Sequence, residues 1–248
     1  MTRHRALGAL FGAGLLLLAI PARAADAWPE IRVQVVARTA TTISAPMSGQ
    51  LAEFPLHDGD RFEKGALLGR FVCAEQEGAL AHARAVLEEK RQVYATNHKL
   101  HDFGTGSGLD YHVALAQMEE AAADVQTATA LVDNCSVKAP FAGRVGGIQA
   151  RPWQFLGVGA PMLDILEDKA LELELIVPSR WLAWLKQGTG FGMSIDETGR
   201  SYQAEVTRLS GKVDPVSQSI KVYGRLLDQA ADLLPGMSGH ATFNPPTQ

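Results

Sequence analysis

The sequence lacks the residue patterns of the common enzyme classes. It has no Gly-x-Ser-x-Gly, no His-Glu-x-x-His, no phosphate-binding glycine loop and no Cys-x-x-Cys pair. Acidic pairs such as Glu88-Glu89 and Glu119-Glu120 stand inside repeating helical patterns, where a solvated helix face is their ordinary explanation. We therefore predict that the protein is not an enzyme and has no catalytic residues.

Long apolar runs are absent except at the N-terminus. Arg3 and Arg5 precede an apolar stretch at 7–20, and an Ala-x-Ala site ends at Ala24. About fourteen apolar residues are few for a bilayer span, and this arrangement is typical of a secretory signal peptide. We predict a cleaved signal peptide at 1–24, with an uncleaved anchor as the alternative.

Positive charge is scarce as well. The chain has 23 Lys and Arg against 27 Asp and Glu. Cleavage after Ala24 would remove three arginines and no acid, which leaves a formal charge of −7. This balance excludes a general binder of nucleic acid or of anionic lipid.

Two segments that lie 94 residues apart share one pattern. Ile43–Gly49 (ISAPMSG) matches Val137–Gly143 (VKAPFAG), and the residues that follow keep the same spacing when the two prolines are aligned. The matched positions are Pro46 with Pro140, Gly49 with Gly143, and Gly65 with Gly159. Each copy has only about 30 residues, too few to bury a core alone. We predict that the two copies pair face to face in a small β-sandwich.

The insert between the copies is rich in helix-forming residues. Residues 74–100 and 109–134 contain no proline, and the loop Gly104–Gly108 (GTGSG) separates them. Apolar residues recur with heptad spacing in both helices, which indicates an antiparallel coiled-coil hairpin about 40 Å long. An amphipathic pair packed on a globular core is the alternative. The apolar series are Leu80, Leu87 and Tyr94; Ala79, Val86, Val93 and Leu100; and Tyr111, Ala114, Met118, Ala121, Val125, Ala128 and Val132.

The two cysteines flank this insert. Cys73 precedes the first helix and Cys135 follows the second. An antiparallel hairpin brings its two ends together, and an exported protein can keep a disulfide. We predict that the two residues form one, with two buried free thiols as the alternative.

Histidines gather near the predicted tip of the hairpin. His98 and His101 end the first helix and His112 begins the second, with Asp102 and Asp110 nearby. Such a group can hold a Zn²⁺-like ion, but a polar, solvated tip explains the same residues. We predict no metal site.

Residues 169–244 have the pattern of short strands. The run 171–177 (LELELIV) alternates in polarity, the stretches 191–196 and 201–209 flank a turn, and further strands follow. Ser179 is a candidate N-cap for a short helix over 179–185. Four to six strands and one small helix predict a small β-barrel.

In this order the modules resemble the periplasmic adaptors, or membrane fusion proteins, of Gram-negative efflux and type I secretion systems, which include the HlyD and resistance-nodulation-division (RND) adaptors. The matching stretches are ISAPMSGQL, HDGDRFEKGALL, KAPFAGRV, FLGVGAPML, VDPVSQSIKV and LLPGMSG. The resemblance implies a split biotinyl/lipoyl-like sandwich. It also implies a barrel motif of Asp214, Pro215, Pro235, Gly236 and Met237.

The resemblance implies that the hairpin tip docks on a TolC-type outer-membrane channel. Leu100 and Ser107 keep the spacing of the family's tip residues, and we add Leu109, whereas Thr96 stands where the family has an arginine. Only a few residues follow Gly239, so we expect the family's membrane-proximal domain to be absent or vestigial. No lysine signature for biotin or lipoate lies between the halves, so we expect no covalent cofactor.

These observations predict a mainly β protein with an inserted coiled-coil hairpin. It would be a periplasmic adaptor that joins an inner-membrane transporter of RND or ABC type to the channel, forms rings with its own copies and binds no nucleic acid. A carrier-type subunit and a periplasmic scaffold without a pump are the alternatives. The predicted division is a signal peptide (1–24), an N-terminal strand segment (25–42), lipoyl-like half 1 (43–73), the hairpin (74–135), lipoyl-like half 2 (136–168), the barrel (169–244) and a tail (245–248).

Overall fold

A computed structural model describes residues 30–228, 230 and 232–244. The predicted signal peptide and the tail at 245–248 lie outside the described residues. No helix within the described ranges combines the length and the apolar character needed to cross a membrane.

The described chain is mainly β, with two long helices. The strands are β1 Ile31–Ala37, β2 Ala40–Ser44, β3 Gly49–Glu53, β4 Arg61–Phe62, β5 Leu67–Phe71, β6 Ser136–Lys138, β7 Gly143–Ile148, β8 Phe155–Leu156, β9 Pro161–Leu166, β10 Leu171–Pro178, β11 Gly190–Ile195, β12 Ser201–Asp214, β13 Ser219–Leu226 and β14 Ser238–Thr242. The helices are α1 Ala74–Asp102 and α2 Gly108–Asp133, and a short 3-10 helix covers Ser179–Ala183.

Six strands close a barrel in the order β1-β10-β13-β12-β11-β14. The alternating pattern of β10 explains its place there, because Leu173, Leu175 and Val177 point into the core and are fully buried. Its glutamates point outward, where Glu172 pairs with Arg208 on β12. The predicted barrel is therefore confirmed.

One barrel strand comes from a part of the chain that the sequence analysis left outside the barrel. The segment Ile31–Ala37 pairs with β10 on one side and with β14 on the other. Its inward residues Val33 and Val35 are buried in the barrel core. The assignment of the barrel to 169–244 alone is corrected, because without β1 the edges of β10 and β14 would be unpaired.

The strands of the two repeat copies form two four-stranded sheets, in the orders β2-β9-β7-β4 and β6-β5-β3-β8. Each sheet takes two strands from each copy, so the copies interlock and do not form one sheet each. The predicted pairing of two separate faces is corrected in this respect. A shift of 94 residues converts one strand order into the other.

Backbone hydrogen bonds show this exchange at the Ala-Pro segments. The amide of Gly65 donates to the carbonyl of Ala139 at 2.8 Å, and the amide of Gly159 donates to that of Ala45 at 2.9 Å. Both glycines have positive φ, +84° and +79°, a conformation that other residues rarely adopt. Each half therefore closes its own turn against the other half's Ala-Pro segment.

The two helices pack against each other along the predicted series. In α2 the residues Ala114, Ala121 and Ala128 are buried, and in α1 the buried residues are Leu80 and Leu87. Small alanines allow the helix backbones to approach closely. The second predicted series of α1 lies mostly outside this contact: Ala79, Val93 and Leu100 are exposed, and only Val86 is half-buried and lines a cavity with Ala121 of α2.

The short helix after β10 differs from its prediction. It is a 3-10 helix at Ser179–Ala183, and its N-cap position is Pro178, with no side-chain cap. The amide of Ser179 donates instead to the carbonyl of Gln218. Trp181 explains the short turn, since its ring is buried in the barrel and meets the Phe243 ring edge-on at 5.4 Å.

Candidate functional site

The loop between α1 and α2 is a compact turn tied to the end of α1. The amides of Thr105 and Gly106 both donate to the carbonyl of Leu100, at 3.0 and 2.8 Å. Gly104 has φ +70°, as expected for the residue that reverses the chain after a helix. A Cβ at Gly106 would lie 2.8 Å from the amide nitrogen of His101, so this position requires glycine. The loop is fixed by its own backbone.

This fixed loop presents large apolar side chains to solvent. Leu100 is 44% exposed, Leu109 is 71% exposed and Phe103 is 79% exposed. Leu100 near the end of α1 and Leu109 at the start of α2 thus flank the loop, and Phe103, which the sequence reasoning missed, lies in it. The signal for Phe103 was its place between the end of the helical pattern and the glycine loop.

The two polar residues singled out at the tip have local structural partners. Ser107 is the N-cap of α2, and its hydroxyl accepts a hydrogen bond from the Asp110 amide. The hydroxyl of Thr96 donates to the carbonyl of Gln92 at 2.9 Å, within α1.

A cluster of rings lies just below the tip. The Tyr111 ring lies within 6 Å of four other rings, and it stacks on His101 with 4.9 Å between centroids. His98 Nδ1 lies 2.9 Å from the Asp102 carboxylate. A hydrogen bond with Tyr111, together with desolvation, raises the pKa of the Tyr94 phenol. Among the residues that the structure describes, no group of three or more His, Cys, Asp or Glu side chains is arranged to hold a metal ion.

The other end of the helix pair carries the two cysteines. Cys73 and Cys135 are bonded in a disulfide, with 6.1 Å between their Cα atoms. The carbonyl of Cys135 also accepts a hydrogen bond from the amide of Phe71 in β5. The chain therefore leaves the sheets and returns to them at one cross-linked point.

The remaining motif residues lie at turns and strand ends. Gly49 and Gly143 begin the matched strands β3 and β7, and Pro46 and Pro140 lie in the segments just before them.

In the barrel, the Asp214 carboxylate accepts hydrogen bonds from the amides of Val216 and Ser217, both 2.9 Å. These bonds, above all that from Ser217, hold the pKa of Asp214 below its usual value.

The Pro-Gly-Met segment before β14 pairs with β1. Gly236 has φ +99°, and its amide donates to the carbonyl of Val35 at 2.8 Å. The amide of Val35 in turn donates to the carbonyl of Met237. Pro235 precedes this pair, and Pro215 lies in the turn after Asp214. The segment thus helps to fix the strand that closes the barrel.

A six-stranded barrel, two interlocked sheets and an inserted helix pair together form the fold of membrane fusion proteins, or periplasmic adaptors. One solved structure with this fold is a MacA-MexA chimera that contains the Pseudomonas aeruginosa MexA α-hairpin domain. It has a TM-score of 0.76 and 16% identity, and the match covers 86% of this chain and 80% of that chain. Another is the membrane fusion protein Spr0693 from Streptococcus pneumoniae R6, with a TM-score of 0.73 and 15% identity, over 89% of this chain and 100% of that chain. A putative efflux transporter from Bacteroides eggerthii has a TM-score of 0.68 and 20% identity, over 86% of this chain and 67% of that chain.

Two curated proteins are similar in sequence. The nodulation protein NolF of Rhizobium meliloti is 24% identical over 200 residues, which cover 74% of this chain and 54% of NolF. An uncharacterized protein of Haemophilus influenzae is 20% identical over 208 residues, 83% of this chain and 54% of that protein. The chain thus spans about half the length of the curated relatives that it matches. No protein-family profile matches the sequence.

Proposed function

We propose that this protein is a periplasmic adaptor that links an inner-membrane transporter to an outer-membrane channel in an efflux or type I secretion system. The observation that carries the proposal is the helix-pair tip, where Leu100, Phe103 and Leu109 expose apolar surface on a turn fixed by its own backbone. Exposed apolar side chains on a rigid support are typical of a protein-binding surface.

The position of this surface supports a bridging role. A helix of 29 residues is about 43 Å long, so the tip lies that far along α1 from the disulfide between Cys73 and Cys135. In the proposal the pair acts as a projecting coiled-coil hairpin whose tip docks on a TolC-type channel. Leu100 and Leu109 make apolar contacts there, and Ser107 holds the start of α2 and faces the channel.

The rest of the adaptor serves the other end of the bridge. The barrel and the lipoyl-like sandwich contact a transporter of RND or ABC type, and neighbouring copies assemble into a ring. The signal peptide at 1–24 sends the chain to the periplasm, where its partner holds it at the inner membrane. The division into signal peptide, split sandwich, hairpin and barrel is part of this proposal, with the predicted bounds except that Ile31–Ala37 belongs to the barrel.

Photo-crosslinking in intact cells tests the tip. A crosslinking amino acid is placed at Phe103, and a matched control is placed at Leu131, an exposed apolar residue near the opposite end of α2. We expect adducts with an outer-membrane channel protein from position 103 and none from position 131, with mass spectrometry identifying the partner. The same channel adduct from both positions, or none from position 103, would contradict the proposed docking.

A double substitution gives a functional readout. Phe103→Asp with Leu109→Asp places two charges on the apolar tip, and we expect it to abolish transport by the cognate pump while the thermal unfolding midpoint stays unchanged, because both side chains are exposed. Leu131→Asp is the control that keeps transport. Wild-type transport by the double variant would contradict the tip assignment.

A further inference from the structure

A cavity of about 470 Å³ lies where the sandwich and the barrel meet. The sandwich contributes Arg61 of β4 and Arg144 of β7, and the connection from β9 to β10 contributes Asp168 and Lys169. The barrel side contributes both charged and apolar residues, namely Leu171, Arg225, Leu226, Asp228, Leu233 and Leu234. Its volume is within the range of small-molecule sites.

Two guanidinium groups share one carboxylate in the lining of this cavity. Arg61 and Arg144 are paired across neighbouring strands. The Asp168 carboxylate accepts a hydrogen bond from Arg61 Nε at 2.8 Å and lies 3.8 Å from Arg144 Nε. Its side chain is only 6% exposed. One nearly buried negative charge therefore faces two positive charges, of which Arg61 is mostly exposed and Arg144 is 28% exposed.

The hydrogen bonding of Arg144 is incomplete. Its Nε atom is buried, and among the described residues it has no hydrogen-bond acceptor. A buried donor without an acceptor costs free energy, and charged donors cost more than neutral ones. The Arg144 side chain as a whole is 28% exposed, so a group entering the cavity can reach its guanidinium.

The rest of the lining keeps the positive excess and adds an apolar wall. Among the other lining residues, Lys169 and Arg225 are positively charged and Asp228 is negatively charged, and Glu205, which lies outside the lining, pairs with Arg225. The lining residues and Glu205 together therefore have four basic and three acidic side chains, a net charge of +1. Leucines make up the apolar part of the lining, and Leu234 is 42% exposed. A ligand that fits both surfaces has an anionic head and an apolar tail.

We propose that this cavity binds a small free amphipathic anion, with its carboxylate, sulfonate or phosphate head on Arg144 and its apolar tail against Leu226 and Leu234. The Arg144 guanidinium would hold the head through charge-assisted hydrogen bonds. The proposal goes beyond the adaptor role, because it requires only this chain and no transporter or channel.

Calorimetric titration of the purified mature chain tests the ligand chemistry. Decanoate carries both the head and the tail, decyltrimethylammonium has the same tail with a positive head, and acetate has the head alone. We expect decanoate to bind, and the other two to bind at least about tenfold more weakly. Equal binding of decanoate and decyltrimethylammonium, or no binding of decanoate, would overturn the proposal. Binding of phosphatidylglycerol vesicles without binding of decanoate would overturn the assignment to a free amphiphile.

Variants locate the site. Arg144→Gln should weaken decanoate binding about tenfold or more, since it removes a charged donor while Arg61 still pairs with Asp168. Arg84→Gln makes the same change on the exposed face of α1 and should leave the affinity unchanged. If Arg144→Gln does not fold, Leu234→Asp is the variant that tests the site. A negative charge at this partly exposed lining residue should also weaken decanoate binding about tenfold. Wild-type affinity in a folded Arg144→Gln or in Leu234→Asp would place the ligand elsewhere.

Discussion

The two halves of the sandwich share one backbone arrangement but carry different side chains. The amide of Gly59 donates to the carbonyl of Val145, and 94 residues later the amide of Trp153 donates to the carbonyl of Leu51. Both donors have positive φ, +85° and +68°, although only one of them is glycine. The interlocked sheets therefore impose the backbone geometry on both halves, and they leave the side chain free wherever it points to solvent.

In another matched pair the residue is the same but its surroundings differ. Gly49 and Gly143 begin equivalent strands, and a side chain at the two positions would meet different neighbours. A Cβ at Gly143 would collide with the carbonyl oxygen of Leu166, whereas at Gly49 it would make ordinary contacts with Phe71 and Met47. The same residue type is thus required by close backbone packing in one half and only tolerated in the other.

The largest expected effect concerns the covalent link between the halves. Replacing Cys73 and Cys135 together by Ala removes a cross-link that spans 62 residues. The chain-entropy account gives a loss of up to about 4 kcal/mol in the free energy of unfolding. Urea unfolding of the oxidised protein, the reduced protein and the double variant measures it. The reduced protein and the double variant should have the same free energy of unfolding. Equal stability of all three proteins would show that the interlocked strands alone hold the halves together.

The next effect separates the two strand glycines. Gly143→Ala should lower the free energy of unfolding by about 3 kcal/mol, because the backbone at Leu166 must move. Gly49→Ala, its matched control, should change it by less than about 1 kcal/mol. Thermal and urea unfolding of both variants provide the comparison. Similar losses at the two positions would mean that close backbone packing does not distinguish the two halves at this position.

The smallest effect has opposite signs in the two halves. Trp153→Gly should stabilise the protein by up to about 1 kcal/mol, because it relieves a positive φ at a residue that is 68% exposed. Gly59→Ala should destabilise it by about 1 kcal/mol for the same reason, since its Cβ would meet no atom within 4 Å. Unfolding midpoints measure both. A loss of stability in Trp153→Gly would show that the exposed indole makes contacts worth more than the strain.

Local patterns in the sequence predicted the elements well. The spacing of Ala114, Ala121 and Ala128 identified the buried stripe of α2, because the side chains of a helix repeat with a known period. The same period could not decide which stripe of α1 faces its partner, and of the series that ends at Leu100 only Val86 is half-buried. For the candidate tip, the sequence supplied Leu100 and Leu109 but not Phe103, whose exposure depends on how the turn folds back on α1.

Sequence by itself determined the repeat, the inserted helices, the barrel strands that follow residue 169 and the closeness of the two cysteines, because each follows from composition, periodicity or chain reversal. Only the tertiary structure decided which strands share a sheet, that β1 closes the barrel, and that Arg61, Arg144 and Asp168 meet beside the leucines of the barrel. The physical reason is that backbone pairing and charge contacts join residues far apart along the chain. No local pattern records which of the many possible partners will be brought together.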